Sequence, residues 1–200
     1  MKKLAVLISN TGTGTNLQAI VDAIEDKRLK AKIVAVVSDT KTALGLERAK
    51  KHRLPIVILD KKDSLTSILK DEYKVDYVCL SGWKKIISDS MIKIFKNRIF
   101  NIHPGLIPDN IDGVVKNPDG TDGLWNKGKM TSQAIGNFIN SKATYAGSSV
   151  HFLTLEFDFG PVTARCFEKV RANDTVESLY SRLKKKENEI YVSSLMKMCR

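Results

Sequence analysis

The feature that most constrains the fold is an alternation between short apolar runs and helical patterns along the first hundred residues. The runs that are typical of buried strands lie at 4–9, 33–38, 55–59, 76–81 and 99–102. The stretches with a helical pattern lie between them, at 16–24, 43–52, 65–73 and 88–95. Strands that alternate with helices predict a parallel α/β sheet, and ligands of such sheets bind beyond the carboxyl ends of the strands.

The pattern changes after His103, at the start of a long segment that is rich in turn-forming residues. A loop of this length, 104–128, is longer than an ordinary connection and indicates a functional segment. The elements predicted after it are a helix at 131–140, strands at 148–154 and 161–169, and a helix from Asp174 to the end. Asp174 and Glu177, three residues apart, predict the amino-terminal cap of that last helix.

Length and composition favour a single domain with an anionic partner. The 200 residues, 42% of them hydrophobic, suffice for a buried core, so we expect one domain over 1–200 with parts at 1–103 and 104–200. The formal net charge of +11 favours a phosphate, a polyglutamate tail or a nucleic acid as partner. Lysine runs such as 184–186 are most simply solvated faces with little aromatic interleaving, which disfavours nucleic acid. A basic binding module without catalysis stays an alternative.

Two further observations narrow the class of protein. No apolar run approaches the ~18 residues that a membrane-spanning helix needs. The three cysteines are far apart and lack the spacing of a disulfide framework or a zinc site. Reduced thiols are typical of the cytoplasm, so we expect a cytoplasmic protein that binds no membrane and no metal.

A loop of glycine and hydroxyl residues, 9–16, joins the first predicted strand to the first predicted helix. Gly12 and Gly14 permit a tight turn there, and the free N–H groups at the start of a helix attract an anion. We therefore expect a phosphate site, although a capping turn without a ligand stays open. A nicotinamide site built from Gly12, Gly14 and Asp39 is a further alternative, but the third glycine of the dinucleotide fingerprint is missing.

Asn101 and His103 lie two residues apart in the fifth predicted strand, which places both on one face at its carboxyl end. An amide beside an imidazole can stabilise a developing oxyanion and move a proton. Pro104 ends the strand. Asp158, on a turn after a later strand, could orient such a histidine, but by itself an ordinary turn aspartate is the simpler interpretation. His151, within that strand, is predicted to be structural.

Taken together, these residues resemble a known family. Asn101-Ile102-His103-Pro104 resembles the catalytic signature of the folate-dependent formyltransferases, and 149–158 resembles the strand and turn that carry their third catalytic residue. The first loop and helix, together with Glu187 shortly before Ile190-Tyr191, are similar to the phosphoribosylglycinamide formyltransferase branch. The resemblance covers nearly the whole chain.

The resemblance implies a fold, a reaction and a set of catalytic residues. The fold is α/β, Rossmann-like, with a mostly parallel central sheet flanked by helices. The reaction transfers a formyl group from 10-formyltetrahydrofolate, as cosubstrate, to the amine of glycinamide ribonucleotide in purine biosynthesis, without a metal. Asn101 and His103 would stabilise the oxyanion, and Asp158 would orient His103 or a relay water.

The resemblance also implies two sets of binding residues. Those implied for the ribonucleotide, including its phosphate and ribose, are Gly14, Thr15, Asn16, Lys84, Pro104 and Glu187. Those implied for the folate are Lys85, Ile86, Ile87, Asn101, Glu156, Phe157 and Phe159. The implied partners are these two small molecules, with no nucleic acid and no membrane, and the implied state is a monomer or a homodimer.

Departures from the family pattern concern the substrate more than the fold. Asp158-Phe159-Gly160 stands where the family has an Asp-Gly-Gly turn, and phenylalanine avoids a positive φ more strictly than glycine does, so we expect a reshaped loop. The segments 83–87 and 109–129 also differ. Transfer to another amine, such as an amino-sugar nucleotide, and hydrolysis of formyltetrahydrofolate therefore stay as alternatives.

Overall fold

The computed structural model describes residues 1–9, 13–60 and 64–200. Within these ranges the strands are β1 (Lys2–Ile8), β2 (Ala31–Ser38), β3 (Ile56–Ile58), β4 (Tyr77–Leu80), β5 (Ile99–His103), β6 (Tyr145–Phe152) and β7 (Val162–Lys169). The helices are α1 (Thr15–Glu25), α2 (Gly45–Lys51), α3 (Leu65–Ser67), α4 (Asp89–Ile94), α5 (Thr131–Asn140) and α6 (Val176–Met198). A π-helical turn, Ile68–Glu72, continues α3. The predicted alternation of strands and helices is confirmed.

The strands form a seven-stranded sheet in the order β3-β2-β1-β4-β5-β6-β7. β1 pairs in parallel with β2 and with β4, and the pairs β2–β3 and β4–β5 are also parallel. β6 and β7 are antiparallel. The mostly parallel sheet predicted from the sequence is therefore confirmed.

The chain divides into two compact units, and the first comprises Met1–Asn101 and Leu195–Arg200. Its central strand β1 is completely buried from Leu4 to Ile8. A continuous apolar run is what a parallel strand needs when both of its faces are covered. Helix α1 buries its own apolar stripe, which includes Leu17, Ile20 and Val21.

The second unit is Ile102–Ser194, and its core lies between the β6–β7 hairpin and two helices. The buried side chains of this core are Ile135, Phe138, Ala146, Cys166, Leu179 and Leu183. The helical members follow the i, i+3 and i, i+4 spacing that places them on one face of α5 and one face of α6. Burying each large apolar side chain stabilises the unit by roughly 1.5–3 kcal/mol.

The amino-terminal cap of α6 differs from the predicted pair. The Oγ1 of Thr175 accepts a hydrogen bond from the Ser178 N–H at 3.2 Å, and the Oγ of Ser178 accepts one from the Thr175 N–H at 3.0 Å. The prediction that Asp174 and Glu177 form the cap is therefore wrong. Asp174 instead accepts hydrogen bonds from Arg182, at 2.6 and 2.8 Å, because that arginine lies two turns further along the helix.

Two predictions remain, one about the anion loop and one about membrane-spanning helices. Asn10, Thr11 and Gly12 of the predicted anion loop lie outside the described residues, and so does the Gly12 part of the nicotinamide alternative. Across the ranges that are described, no helix combines the length and the apolar character that crossing a membrane requires.

Candidate active site

His103 and Asp158 lie together at the carboxyl end of β5. His103 is the last residue of that strand, and its side chain is 3% exposed. Its Nδ1 lies 3.5 Å from Oδ1 of Asp158, which the turn after β6 brings to it. Asp158 adopts a φ of 50°, a left-handed conformation that aspartate tolerates better than most residues. The structure therefore brings together two of the three predicted catalytic residues.

The second ring nitrogen of His103 faces the main chain of the long loop. Its Nε2 lies 2.7 Å from the carbonyl oxygen of Trp125. A carbonyl oxygen only accepts hydrogen bonds, so Nε2 carries the proton of this contact. Because Asp158 lies on the other side, the arrangement offers an acceptor to each ring nitrogen. Two acceptors on opposite sides of the ring fix its orientation.

The carboxylate of Asp158 is held in its ionised form. Burial by itself raises the pKa of Asp158, but the contact with His103, its charge and the Gly128 N–H lower that pKa below its ordinary value. The Gly128 N–H donates to Oδ2 at 2.8 Å, so each carboxylate oxygen has its own partner. An anion fixed at both oxygens can orient an imidazole and stabilise its positive charge.

His151 lies completely buried in β6, within electrostatic range of this pair. Burial and the charge of His103 lower the pKa of His151 to about 4, and the charge of Asp158 only partly opposes this shift. The ring of His151 is therefore neutral at physiological pH.

Asn101 precedes His103 by two residues in β5, and the strand period places the two on the same face. The backbone that follows is fixed by Ser149 of β6, whose hydroxyl donates to the Gly105 carbonyl at 2.8 Å and accepts from the Ile107 N–H at 2.9 Å. Pro104 contributes its carbonyl, which accepts from the Asn126 amide at 3.1 Å. The main chain that follows β5 is thus hydrogen-bonded to side chains of β6 and of the long loop.

The predicted folate loop surrounds Asp158. Phe157 is 63% exposed, and the Glu156 carboxylate forms an ion pair with Lys127 at 2.7 Å. The ring of Phe159 lies 5.8 Å from that of Trp125. The positive φ values of this turn occur at Asp158 and at Gly160, not at Phe159. The phenylalanine is accommodated because its neighbours adopt the unusual conformations.

Glu187 lies on α6 and is 2% exposed. Its Oε1 accepts from the Ser148 hydroxyl at 2.6 Å, and its Oε2 pairs with Lys184 at 3.0 Å. The predicted ribose ligand is therefore a buried carboxylate with a partner at each oxygen.

The predicted phosphate residues belong to the first unit. Gly14, with a φ of 73°, caps α1, which has no side-chain cap of its own. The Arg48 guanidinium lies beside this turn, and its Nε donates to the Thr13 carbonyl at 2.8 Å. Asn16 is 3% exposed, and its Oδ1 has no hydrogen-bond partner among the described residues. The turn thus combines helix N–H groups, a buried amide and a nearby cation, which suits an anion.

The other predicted residues of the first unit follow β4. Lys84 and Lys85 are exposed, and the Lys84 N–H donates to the Ser9 hydroxyl at 3.1 Å. Ile86 is 91% exposed, whereas Ile87 is 7% exposed and belongs to the core. The two isoleucines predicted to contact folate therefore have opposite environments.

Among the residues that the structure describes, no group of three or more His, Cys, Asp or Glu side chains is placed to hold a metal ion.

The sequence model of the family described as Formyl transferase matches residues 2–195. The chain belongs to the formyl transferase family. The predicted resemblance is thereby confirmed.

Individual relatives agree with this membership. The chain is 31% identical to the chloroplastic phosphoribosylglycinamide formyltransferase of Arabidopsis thaliana, over 99% of this chain and 65% of that protein. It is also 31% identical to the phosphoribosylglycinamide formyltransferase of Haemophilus influenzae, over 96% of this chain and 84% of that protein. The chain thus spans less than two thirds of the plant relative.

A solved structure supports the fold of this formyl transferase. The crystal structure of glycinamide ribonucleotide transformylase 1 from Symbiobacterium toebii matches with a TM-score of 0.83 and 32% identity, over 100% of this chain and 88% of that one. The predicted Rossmann-like formyltransferase fold is therefore confirmed.

Sequence reasoning missed several residues of the candidate site. Trp125 and Gly128 contact the His103–Asp158 pair through main-chain groups, and main-chain contacts leave no side-chain pattern in a sequence. Arg48 lies within the predicted helix at 43–52, and its contact with the first loop was not predicted. One signal was available: Gly105 directly follows His103-Pro104, and a Cβ there would lie 1.7 Å from the Trp125 carbonyl oxygen. A glycine at such a position indicates close approach of another backbone segment.

Proposed function

We propose that this formyl transferase moves the formyl group of 10-formyltetrahydrofolate to the amine of glycinamide ribonucleotide. The observation that carries the proposal is the His103–Asp158 pair at the carboxyl end of β5. Relatives that carry the name phosphoribosylglycinamide formyltransferase support the choice of acceptor.

The chemistry requires charge stabilisation and one proton transfer. The amine lone pair forms a bond to the formyl carbon, and the carbonyl oxygen becomes an oxyanion. Asn101 is suited to stabilise that oxyanion through its amide N–H, and the His103 ring joins it when the substrate oxygen replaces the Trp125 carbonyl at Nε2. Collapse breaks the bond between carbon and the folate nitrogen, while the amine loses a proton and the departing nitrogen gains one. Asp158 stabilises the imidazolium throughout.

The binding residues are proposed on the same basis. The ribonucleotide phosphate is assigned to Gly14, Thr15 and Asn16, with Arg48 beside them, since this turn supplies N–H groups and positive charge. Further contacts to the ribonucleotide are assigned to Lys84, Pro104 and Glu187. Folate contacts are assigned to Lys85, Ile86, Ile87, Asn101, Glu156, Phe157 and Phe159. The exposed apolar surfaces of Ile86 and Phe157 suit an aromatic ligand.

We also propose that the chain acts as one formyltransferase domain in the cytoplasm, as a monomer or a homodimer and without a metal. The family match, which runs through both compact units, supports a single functional domain. The charge of +11 suits two anionic small molecules, a phosphorylated substrate and a glutamylated folate.

The substitution Asp158→Asn tests the catalytic assignment. It keeps the shape of the side chain and its tolerance of a left-handed φ, but removes the charge. We expect kcat to fall about 10²–10⁴-fold, with KM for both substrates nearly unchanged. Tetrahydrofolate release, followed by absorbance with purified glycinamide ribonucleotide, measures both constants. Asp112→Asn, at an exposed loop position, is the matched control. Turnover close to wild type in Asp158→Asn would contradict the role.

A panel of acceptors separates the proposed substrate from the alternatives. We expect glycinamide ribonucleotide to give the highest kcat/KM, and an amino-sugar nucleotide and water alone to give little release of tetrahydrofolate. A preference for the amino-sugar nucleotide would assign a different acceptor. Release that does not depend on any amine would assign hydrolysis.

A further inference from the structure

A four-residue turn, Trp125–Gly128, contacts both members of the catalytic pair. The Trp125 carbonyl accepts a hydrogen bond from Nε2 of His103 at 2.7 Å, and the Gly128 N–H donates to Oδ2 of Asp158 at 2.8 Å. The indole N–H of Trp125 also donates to the Asp158 carbonyl at 3.0 Å. The turn thus contacts the His103 ring at Nε2 and the Asp158 carboxylate at Oδ2. The other two atoms, Nδ1 and Oδ1, face each other.

This turn is anchored by the side chain of Asn126, which is 6% exposed. Its Nδ2 donates to the Pro104 carbonyl at 3.1 Å and to the Ala134 carbonyl at 3.3 Å. Its Oδ1 accepts from the Asn137 amide at 2.7 Å. One buried amide therefore joins the end of β5 to α5, with every contact satisfied inside the protein.

The backbone conformation of the turn also depends on this residue. Asn126 adopts a φ of 58°, which asparagine tolerates better than most residues. The two groups that contact the catalytic pair lie immediately before it and two residues after it. A change in the orientation of residue 126 therefore displaces both groups together.

We propose that Asn126 is a positioning residue for the His103–Asp158 pair. Its amide fixes the Trp125–Gly128 turn, and that turn holds the imidazole ring and the carboxylate in the geometry that the reaction needs. The proposal rests on the proposed function for its effect on turnover, but the geometry itself can be measured without substrate.

Asn126→Gly is the most informative variant. Glycine adopts the positive φ freely, so the substitution removes the three amide hydrogen bonds while still permitting the turn. Asn97→Gly is a matched control, because Asn97 is exposed and has a φ of 56°. Asn137→Ala removes only the donor to Oδ1 and is a milder second variant, should Asn126→Gly fail to fold.

Two readouts distinguish positioning from general stability. The chain has 3 histidines, so nitrogen-15 NMR of labelled protein resolves the Nε2 proton of His103. In Asn126→Gly we expect this proton to exchange with solvent roughly tenfold faster, since local opening controls such exchange. We expect kcat to fall roughly 10–100-fold with KM within about twofold, because small misplacements of catalytic groups cost this much. Asn137→Ala shifts both readouts in the same direction but less.

The outcomes separate the two proposals. Unchanged proton exchange and kcat in Asn126→Gly or Asn137→Ala would overturn the positioning role and leave the proposed function intact. Equal losses in Asn97→Gly would also overturn it, because the effect would then belong to any such substitution. Faster exchange confined to the Asn126 and Asn137 variants would support positioning even if the wild-type protein transferred no formyl group, a result that would defeat only the proposed function.

Discussion

His103 uses both of its ring nitrogens on protein acceptors, a carbonyl on one side and a carboxylate on the other. A histidine held in this way has a fixed orientation. His151 is also buried, but its ring is neutral and lies outside the proposed chemistry. The two histidines show that the groups around a buried ring, and not burial alone, decide its role.

The buried ring of His151 makes stability depend on pH. The folded protein lowers its pKa from 6.5 to about 4, so the unfolded chain binds more protons between these values. Above pH 6.5 the neutral ring does not change the free energy of unfolding. As the pH falls from 6.5 towards about 4, that free energy falls by about 3 kcal/mol, because the unfolded chain binds a proton that the folded protein does not. Urea denaturation at several pH values measures this slope. We expect a smaller slope in His151→Asn, and an unchanged slope would refute the assignment.

At the scale of elements, several polar side chains near the start of helix α6 could each serve as its amino-terminal cap. Asp174 and Thr175 are both good capping residues. Arg182 pairs with Asp174 and also with Glu168 of β7 at 2.8 Å. Thr175 and Ser178 each donate a backbone N–H to the other's hydroxyl, and the Ser178 hydroxyl donates to Asp174 at 2.7 Å. The hydrogen bond from Arg182 holds the pKa of Asp174 well below its usual range.

Thr175→Ala tests the observed cap. Loss of a capping hydroxyl leaves a helix N–H without its partner, and we expect the free energy of unfolding to fall by about 1 kcal/mol. Ser181→Ala, at an exposed position of the same helix, is the control and is expected to leave stability unchanged or slightly higher. Urea titrations followed by circular dichroism measure both. A smaller loss in Thr175→Ala than in Ser181→Ala would contradict the cap.

The elements also show which parts of the molecule a sequence can predict. The α/β alternation was predictable because its periods are local, and the range of α5 was predicted at 131–140 as observed. β6 begins three residues before its predicted start, at Tyr145, because pairing with β7 overrides the poor strand propensity of Gly147 and its serine neighbours. In the site, His103 and Asp158 were identifiable by family resemblance. The contact of Trp125 was not, since a carbonyl 22 residues away has no side-chain signature.

At the scale of the whole molecule, the three cysteines are distributed over both compact units and can be used to follow the unfolding of each. Cys79 and Cys199 belong to the first unit and Cys166 to the second, and all three are buried. Burial raises the pKa of Cys166 to about 12 and that of Cys199 to about 11. Their thiols are therefore protonated and poorly nucleophilic at neutral pH.

Alkylation measures how each unit opens. We expect no labelling of the native protein by iodoacetamide at pH 7.5, and labelling of all three thiols in concentrated urea. Between these limits, Cys79 and Cys199 are expected to react at the same urea concentration because they share a unit. Peptide mass spectrometry distinguishes the sites. Early reaction of Cys199 alone would show that the end of the chain opens separately from the rest of its unit.

The return of Leu195–Arg200 to the first unit has a consequence for biosynthesis. Leu195 is completely buried there, and the Tyr77 hydroxyl donates to the Met198 carbonyl at 3.4 Å. A nascent chain that has produced residues 1–101 therefore still lacks part of that unit's core, and it gains the missing part only after the second unit has left the ribosome. The unit translated first is therefore the last to be completed, because six of its residues follow the whole of the second unit in the chain.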